Sequence, residues 1–288
     1  MLIKILITGA AGKIGQKFIQ SINDKFFEIS CLTRSKIKWK DKSIISYIGN
    51  LEDIDSLKQI PKQDIIVHIA GITHSKYFKK YVIGNVKATE NLVSYFKNFN
   101  IKHFIFISTR SANKFSGSYG LSKLMAEKII IKSKLPYSIL RVAEVYGKDM
   151  KGFNLLKKII NFPIFTFYPY SNKIKLSPIH INDVCSLLNQ ILMSKAKNKT
   201  FIVAGPNEYG FKELCEIITE YYGMKNIYVP VPILLIRVIA YFNLILKKPL
   251  IYPDQVARLV SKKSNDIKLL KTDFNFKPKS VEDLVEKI

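Results

Sequence analysis

The sequence predicts a doubly wound parallel α/β sheet with a small C-terminal lobe. Three observations predict it. Short apolar runs alternate with amphipathic stretches through the first two thirds of the chain, as in a parallel sheet covered on both faces. A glycine-rich turn follows the first apolar run at once, in MLIKILITGAAGKIG. The chain has 288 residues, 48% of them hydrophobic, enough to bury a substantial core and to exclude a disordered or fibrous protein.

The strands read as Leu2 to Thr8, Phe27 to Leu32, Ile44 to Ile48, Ile65 to Ile69, His103 to Ser108, Tyr137 to Val142 and Thr200 to Val203. The intervening helices are expected to begin near Gly12, Leu51, Asn85, Tyr119 and Asn182. Beyond Lys148 the alternation loosens: Lys151 to Ile160 reads as a helix, NFPIFTFYPYSNK as a proline- and aromatic-rich loop, and Phe211 to Tyr222 as a helix. These boundaries place a nucleotide-binding domain at residues 1–147, with 179–204 returning to its sheet. The lobe takes residues 148–178 and 205–288, over the strand C-terminal ends where such sheets bind ligands.

Gly9, Gly12 and Gly15 stand at the strand-to-helix junction. The first permits a tight turn, the second lets backbone N–H groups approach a pyrophosphate, and the third lets helix and strand pack closely. With Ala11, Lys13 and Ile14 they form the expected site of a dinucleotide in a Rossmann-type domain. About 20 residues on, an NAD site usually offers a carboxylate to the ribose 2′-hydroxyl. Here the second strand ends CLTRS: Thr33 carries no charge to repel a 2′-phosphate, and Arg34 can pair with one through its planar fork. NADP(H) is therefore expected in preference to NAD(H).

In SYGLSKLMAEK, Tyr119 and Lys123 lie four residues apart at a helix start, hence on one face. A nearby ammonium stabilises a phenolate and brings a tyrosine into range as a base. The fifth strand ends at Ser108 and Thr109, and a hydroxyl there can bond the oxygen of a substrate beside a nicotinamide. Together these groups form an expected hydride-transfer centre.

The order of TGAAGKIG, GNLEDIDSL, VHIAG, NVKATENLV, Ser108-Thr109, YGLSK, LRVAEVYG, SPIHINDV and FNFKPKSVEDL resembles the extended or atypical short-chain dehydrogenases/reductases, the NAD-dependent epimerase/dehydratase family. The resemblance implies Tyr119 as acid/base, Lys123 as the group that lowers its pKa and holds the nicotinamide ribose, and Thr109 as the group that orients the reacting oxygen. It implies that Asn50, Leu51, Ala70, Gly71 and Asn85 line the cofactor, with Tyr119 and Lys123. The implied substrate is a secondary alcohol or ketone of a nucleotide-activated sugar, and dimerisation through the Tyr119 helix is common in the superfamily.

Two departures stand out. Only RSANKFSGS separates Thr109 from Tyr119, where sugar-nucleotide epimerases usually carry a longer segment. Leu176 occupies the place where those enzymes commonly hold a diphosphate-gripping Arg, leaving Lys173 or Lys175 as point-charge substitutes. They motivate a rival reading, a cofactor-binding structural or assembly protein like the atypical members associated with respiratory complex I.

The formal charge is +24, yet only five of the 46 basic residues are Arg, and the lysines are spread throughout. No Arg-aromatic cluster reads or stacks on bases, so a specific nucleic-acid partner is not expected. Val231 to Leu246 is the one apolar stretch that invites a membrane. It is broken by Pro232 and Arg237 and falls short of the ~20 residues needed to span, so it reads as a buried or a surface-lying helix, the second allowing peripheral membrane contact. Cys31, Cys185 and Cys215 are isolated in apolar runs, which points to a reducing, cytoplasmic setting. No metal site is expected, since His180 and Asp183 lack further ligands nearby. His68 and His74 flank Gly71, and Arg110 follows Thr109; each stands open between a site role and an ordinary loop or strand-end position.

Overall fold

A computed structural model describes residues 2–39, 43–147, 150–162, 164–246 and 249–287. The expected start of the lobe at Lys148 lies outside the described residues. The chain runs β1 (Ile3–Thr8), α1 (Lys13–Ser21), β2 (Phe27–Thr33), β3 (Ile44–Ile48) and β4 (Ile65–His68). It continues through α2 (Phe78–Tyr81), a π-helical stretch (Val82–Lys87), α3 (Ala88–Phe96), β5 (His103–Thr109), α4 (Gly117–Lys132), β6 (Tyr137–Val142) and β7 (Val145–Tyr146). Then follow α5 (Lys151–Ile160), β8 (Phe165–Tyr170), β9 (Ile179–His180), α6 (Ile181–Leu192), β10 (Lys199–Val203), α7 (Phe211–Tyr221) and β11 (Ile227–Pro232). The tail holds α8 (Ile233–Phe242), α9 (Pro253–Val260) and α10 (Lys268–Phe274).

Seven strands form one parallel sheet in the order β10-β6-β5-β4-β1-β2-β3. The period of two sorts the side chains: Ile5, Ile7, Ile105 and Ile107 face one apolar cluster with α1 and α6, while Leu6, Phe104 and Phe106 face another with α3 and α4. Because both faces are buried, the strands read as nearly continuous apolar runs. The order reverses between β1 and β4, the switch point beyond whose C-terminal ends such sheets bind ligands. A third cluster, including Tyr146, Leu156, Ile174, Leu214 and Ile218, is the core of the smaller lobe.

Four local expectations change. No α-helix begins near Leu51; the segment makes turns and a 3-10 turn at Asp55–Leu57, because Asn50 Oδ1 accepts from Glu52 N and Ser56 Oγ donates to the carbonyl of Asn50. The helix expected near Asn85 starts earlier, at Phe78, and widens into the π-helical stretch that carries Asn85. The loop expected at NFPIFTFYPYSNK contains β8, which pairs in parallel with β11. That pairing also takes Val231 and Pro232 out of the expected apolar helix, which begins at Ile233. Non-local strand pairing overrides local turn chemistry in both segments.

Candidate active site

The glycine turn is tight. Gly9 has φ +75°, and a Cβ there would lie 2.5 Å from Ala70 N. A Cβ at Gly15 would lie 2.4 Å from the carbonyl oxygen of Gly9, so helix and turn touch backbone to backbone. Gly12 differs: exposed, it caps α1, and a Cβ there would meet only the Gly9 carbonyl, at 3.2 Å. No side chain caps α1 and no acidic residue lies in its first turn. Ala11 and Lys13 are exposed beside it, and Ile14 packs against the core. A helix N-terminus with an open approach at Gly12 fits a pyrophosphate.

Thr8 pairs with Leu32 across β1 and β2, which sets Thr33 and Arg34 just beyond the glycine turn. Thr33 is buried and donates to Ser35 O, while Arg34 is exposed. Gly49 N bonds Thr33 O and brings Asn50 alongside; the Leu51 carbonyl accepts from Asn91. The Asn50 amide oxygen serves its own turn.

On the other side of the turn a buried relay fixes the β4 end. Thr89 donates to the carbonyl of Asn85, so it accepts from His68 Nε2 at 3.0 Å, and His68 Nδ1 accepts from Thr8 Oγ1 at 2.7 Å. Burial, with the charge of Lys123, pushes His68 down to about 3 and keeps it neutral. His68 is therefore a positioning group beneath Ala70 and Gly71. Asn85 grips the same loop from outside: its Oδ1 accepts from Ile72 N at 2.7 Å and its Nδ2 donates to Ile72 O and Ser122 Oγ. Ser122 in turn donates to the carbonyl of Tyr119.

Lys123 is buried, donates to Ile107 O at 2.7 Å and lies 3.9 Å from the Phe106 ring centroid. A Cβ on Gly71 would sit 3.8 Å from its ammonium. Burial lowers the ammonium to about 7, against the pull of Glu127. The Tyr119 phenol is raised by burial, then drawn back by the Arg258 guanidinium and the Thr109 hydroxyl, while Asp254 pushes it up. The cation set against the Tyr119 ring is thus Arg258, at 4.6 Å from its centroid, where the sequence pointed to Lys123 alone.

Arg258 and Asp254 went unnoticed in the sequence. PDQVAR shows an i,i+4 ion-pair spacing after an N-terminal proline, a sound helix signal, but nothing local says what that helix packs against. In the structure α9 lies against α4: a Cβ on Gly117 would meet Asp254 Cβ at 2.8 Å. Asp254 accepts from Tyr81 Oη at 3.0 Å, and Ser116 Oγ bonds Ser261 Oγ. The short segment before Tyr119 is therefore braced by the lobe.

Arg110 proves buried. Its Nη2 pairs with Glu144 at 2.9 Å and its Nη1 donates to Ser177 at 2.7 Å, while Lys263 reaches the other Glu144 oxygen at 3.1 Å. Burial raises the Glu144 carboxyl, but Lys263 and Arg110 hold it net below its usual range. Two buried cations thus share one carboxylate. Leu176 is a buried bridge to Tyr209, and Lys173 and Lys175 are exposed. His180 caps α6 through Asn182 N, and His74 bonds Thr73 and packs near Tyr252.

A sequence profile of the NAD dependent epimerase/dehydratase family matches residues 5–162, more than half of the chain. The chain belongs to that family. An uncharacterised membrane protein of Methanocaldococcus jannaschii is 26% identical over 78% of this chain and 73% of its own length. A dTDP-D-glucose 4,6-dehydratase of Dictyostelium discoideum is 29% identical over 55% of this chain, which spans 47% of the dehydratase. The fold matches a UDP-glucuronic acid 4-epimerase from Bacillus cereus, solved with UDP-glucuronic acid and NAD. That match has a TM-score of 0.75 at 20% identity and covers 99% of this chain and 97% of the epimerase.

Proposed function

We propose that this family member is an NAD(P)-dependent epimerase or reductase acting on a secondary alcohol or ketone of a nucleotide-activated sugar. The observation that carries the reading is the placing of Thr109 at the C-terminal end of β5 and of Tyr119 in the first turn of α4, one strand from the point where the sheet order reverses. Gly9, Gly12 and Gly15 seat the dinucleotide pyrophosphate, and Ala70, Gly71, Asn50, Leu51 and Asn85 border it. Lys123, beside Gly71, would hold the nicotinamide ribose. Arg34 favours NADP(H) through its fork on the 2′-phosphate.

A dinucleotide held there would supply the hydride chemistry. Tyr119 Oη takes the proton of the sugar hydroxyl during oxidation and returns one during reduction, while Thr109 holds the reacting oxygen. Arg258 and Thr109 favour the ionised phenol and partly offset its burial, which still leaves the phenol above its ordinary value. Lys173 and Lys175, both exposed, are the point charges left to meet a diphosphate where Leu176 replaces the Arg. The B. cereus epimerase, whose structure holds UDP-glucuronic acid and NAD, supports this substrate class.

A screen of nucleotide sugars against absorbance change with NAD(H) and NADP(H) tests the reading. A net change marks a reductase or dehydrogenase, and isomerised product without one marks an epimerase. Tyr119→Phe should abolish turnover and leave dinucleotide binding intact; turnover that survives it refutes the role given to Tyr119. A cofactor-binding assembly role is favoured by the apolar surface of the lobe, and failure of every nucleotide sugar to react would select it.

A further inference from the structure

We propose that the lobe carries a membrane-docking face, formed by α8 and the exposed side of the β8–β11 pair, which seats on a bilayer rich in acidic lipids. The inference does not depend on the enzymatic reading. Of the 28 exposed large apolar side chains among the described residues, five fall in residues 150–182 and twelve in 221–253. These two segments meet in the β8–β11 pairing, and α8 follows β11 directly.

Helix α8, ILLIRVIAYF, is apolar nearly all round, yet Ala240 alone is buried among its residues. Leu234 is 69% exposed, Phe242 70% and Ile245, just beyond, 85%. A helix apolar on every side needs a covering phase, and a patch of this extent on a monomer marks an interaction site. Phe165 and Phe167 extend it, since β8 alternates exposed aromatics with buried Thr166 and Tyr168.

The charge pattern selects the partner. Residues 150–182 and 221–253 contain nine Lys or Arg and no Asp or Glu, in a chain of net +24. Lys76 ties a further edge to the patch by donating to the carbonyls of Leu244 and Leu246, and Lys79 and Lys80 follow it in the chain. Apolar side chains flanked by lysines, with no acid inside these segments and the exposed Glu220 at their margin, suit the interface of an anionic bilayer, where lysine stems snorkel to the headgroups. No helix among the described residues is long and apolar enough to cross a membrane, so the contact is in-plane.

The test is sedimentation of the full chain with vesicles of phosphatidylcholine alone and of phosphatidylcholine with phosphatidylglycerol. The expected result is binding to the acidic vesicles only, weakened at about 0.5 M salt. The double variant Leu234→Ser, Ile245→Ser should bind about tenfold or more weakly, given the apolar area it withdraws from lipid. Ile48→Ser, at an exposed apolar site on β3, should bind as the parent does. No sedimentation, equal binding to neutral vesicles, or full binding by the double variant overturns the proposal. So does a dimer in lipid-free buffer that the double variant converts to monomer, since a second copy would then cover the face.

Discussion

The guanidinium carbon of Arg258 lies 4.6 Å from the centroid of the Tyr119 ring, and Asp254 and the carbonyl of Thr73 hold it there. One residue comes from the lobe and the other from the first turn of α4, so the electrostatics of the phenol depend on how the two parts of the chain dock. Removing the guanidinium leaves burial and Asp254 opposed by Thr109 alone. Arg258→Met should move the rising limb of the kcat profile for alcohol oxidation to higher pH, because a base must be ionised to act. At a fixed pH on that limb the rate follows the ionised fraction, so a phenol about tenfold less acidic gives a rate about tenfold lower. A variant that keeps both rate and limb would remove Arg258 from the account, while loss of turnover in Tyr119→Phe checks the role of the phenol separately.

Lys123 should make stability depend on pH in the alkaline range. The folded chain releases this proton near 7, while an ordinary lysine holds it to 10.5. Between those values the unfolded chain binds more protons, so the cost of burying the ammonium is full below about pH 7 and is relieved as pH rises. Denaturation of the parent and of Lys123→Met across that window should show a rise in the parent that the variant lacks.

Two glycines of one turn should respond differently. Gly15→Ala drives a methyl against the Gly9 carbonyl and the Ala10 backbone, neither of which can swing aside, and should destabilise by about 2 kcal/mol or more. Gly12→Ala meets that same carbonyl only at 3.2 Å, so a small shift relieves it, and it should destabilise much less than Gly15→Ala. Its dinucleotide affinity should fall at least about tenfold, because the methyl fills the approach to the α1 N-terminus. Thermal melts with a titration of dinucleotide fluorescence separate the two effects.

Arg34→Ala should weaken NADP(H) about tenfold and leave NAD(H) nearly unchanged, as expected for loss of one charge-assisted contact to the 2′-phosphate. Equal losses for both dinucleotides, measured by calorimetry, would refute the 2′-phosphate assignment.

Glu127, on α4, is buried and accepts from Arg141 Nε and Nη2 and from Ser108 Oγ. Glu127→Ala should cost about 3 kcal/mol, since it leaves Arg141 and Ser108 without their acceptor. Urea denaturation reads this directly, and dinucleotide affinity measured on the folded fraction should change little.

The alternating apolar runs and the glycine triplet made the sheet legible, because a parallel strand buried on both faces and a backbone that must approach another backbone both constrain residue type locally. The placing of Thr109 at a strand end and of Tyr119 and Lys123 on one helix start was legible for the same reason. The Asn50 turn was read as a helix start because a side-chain acceptor two residues before its donor competes with helix formation, a contest that periodicity does not register.

What the chain order by itself determined is the doubly wound sheet, the place of the glycine turn and the Tyr-Lys helix. What only the tertiary structure decided is the company those groups keep: Arg258 over the phenol, Glu144 shared by Arg110 and Lys263, and β8 paired with β11 so that α8 stands uncovered. Each depends on contacts between segments far apart in sequence, and such contacts follow from packing and charge compensation across the whole fold, which no local window of residues contains.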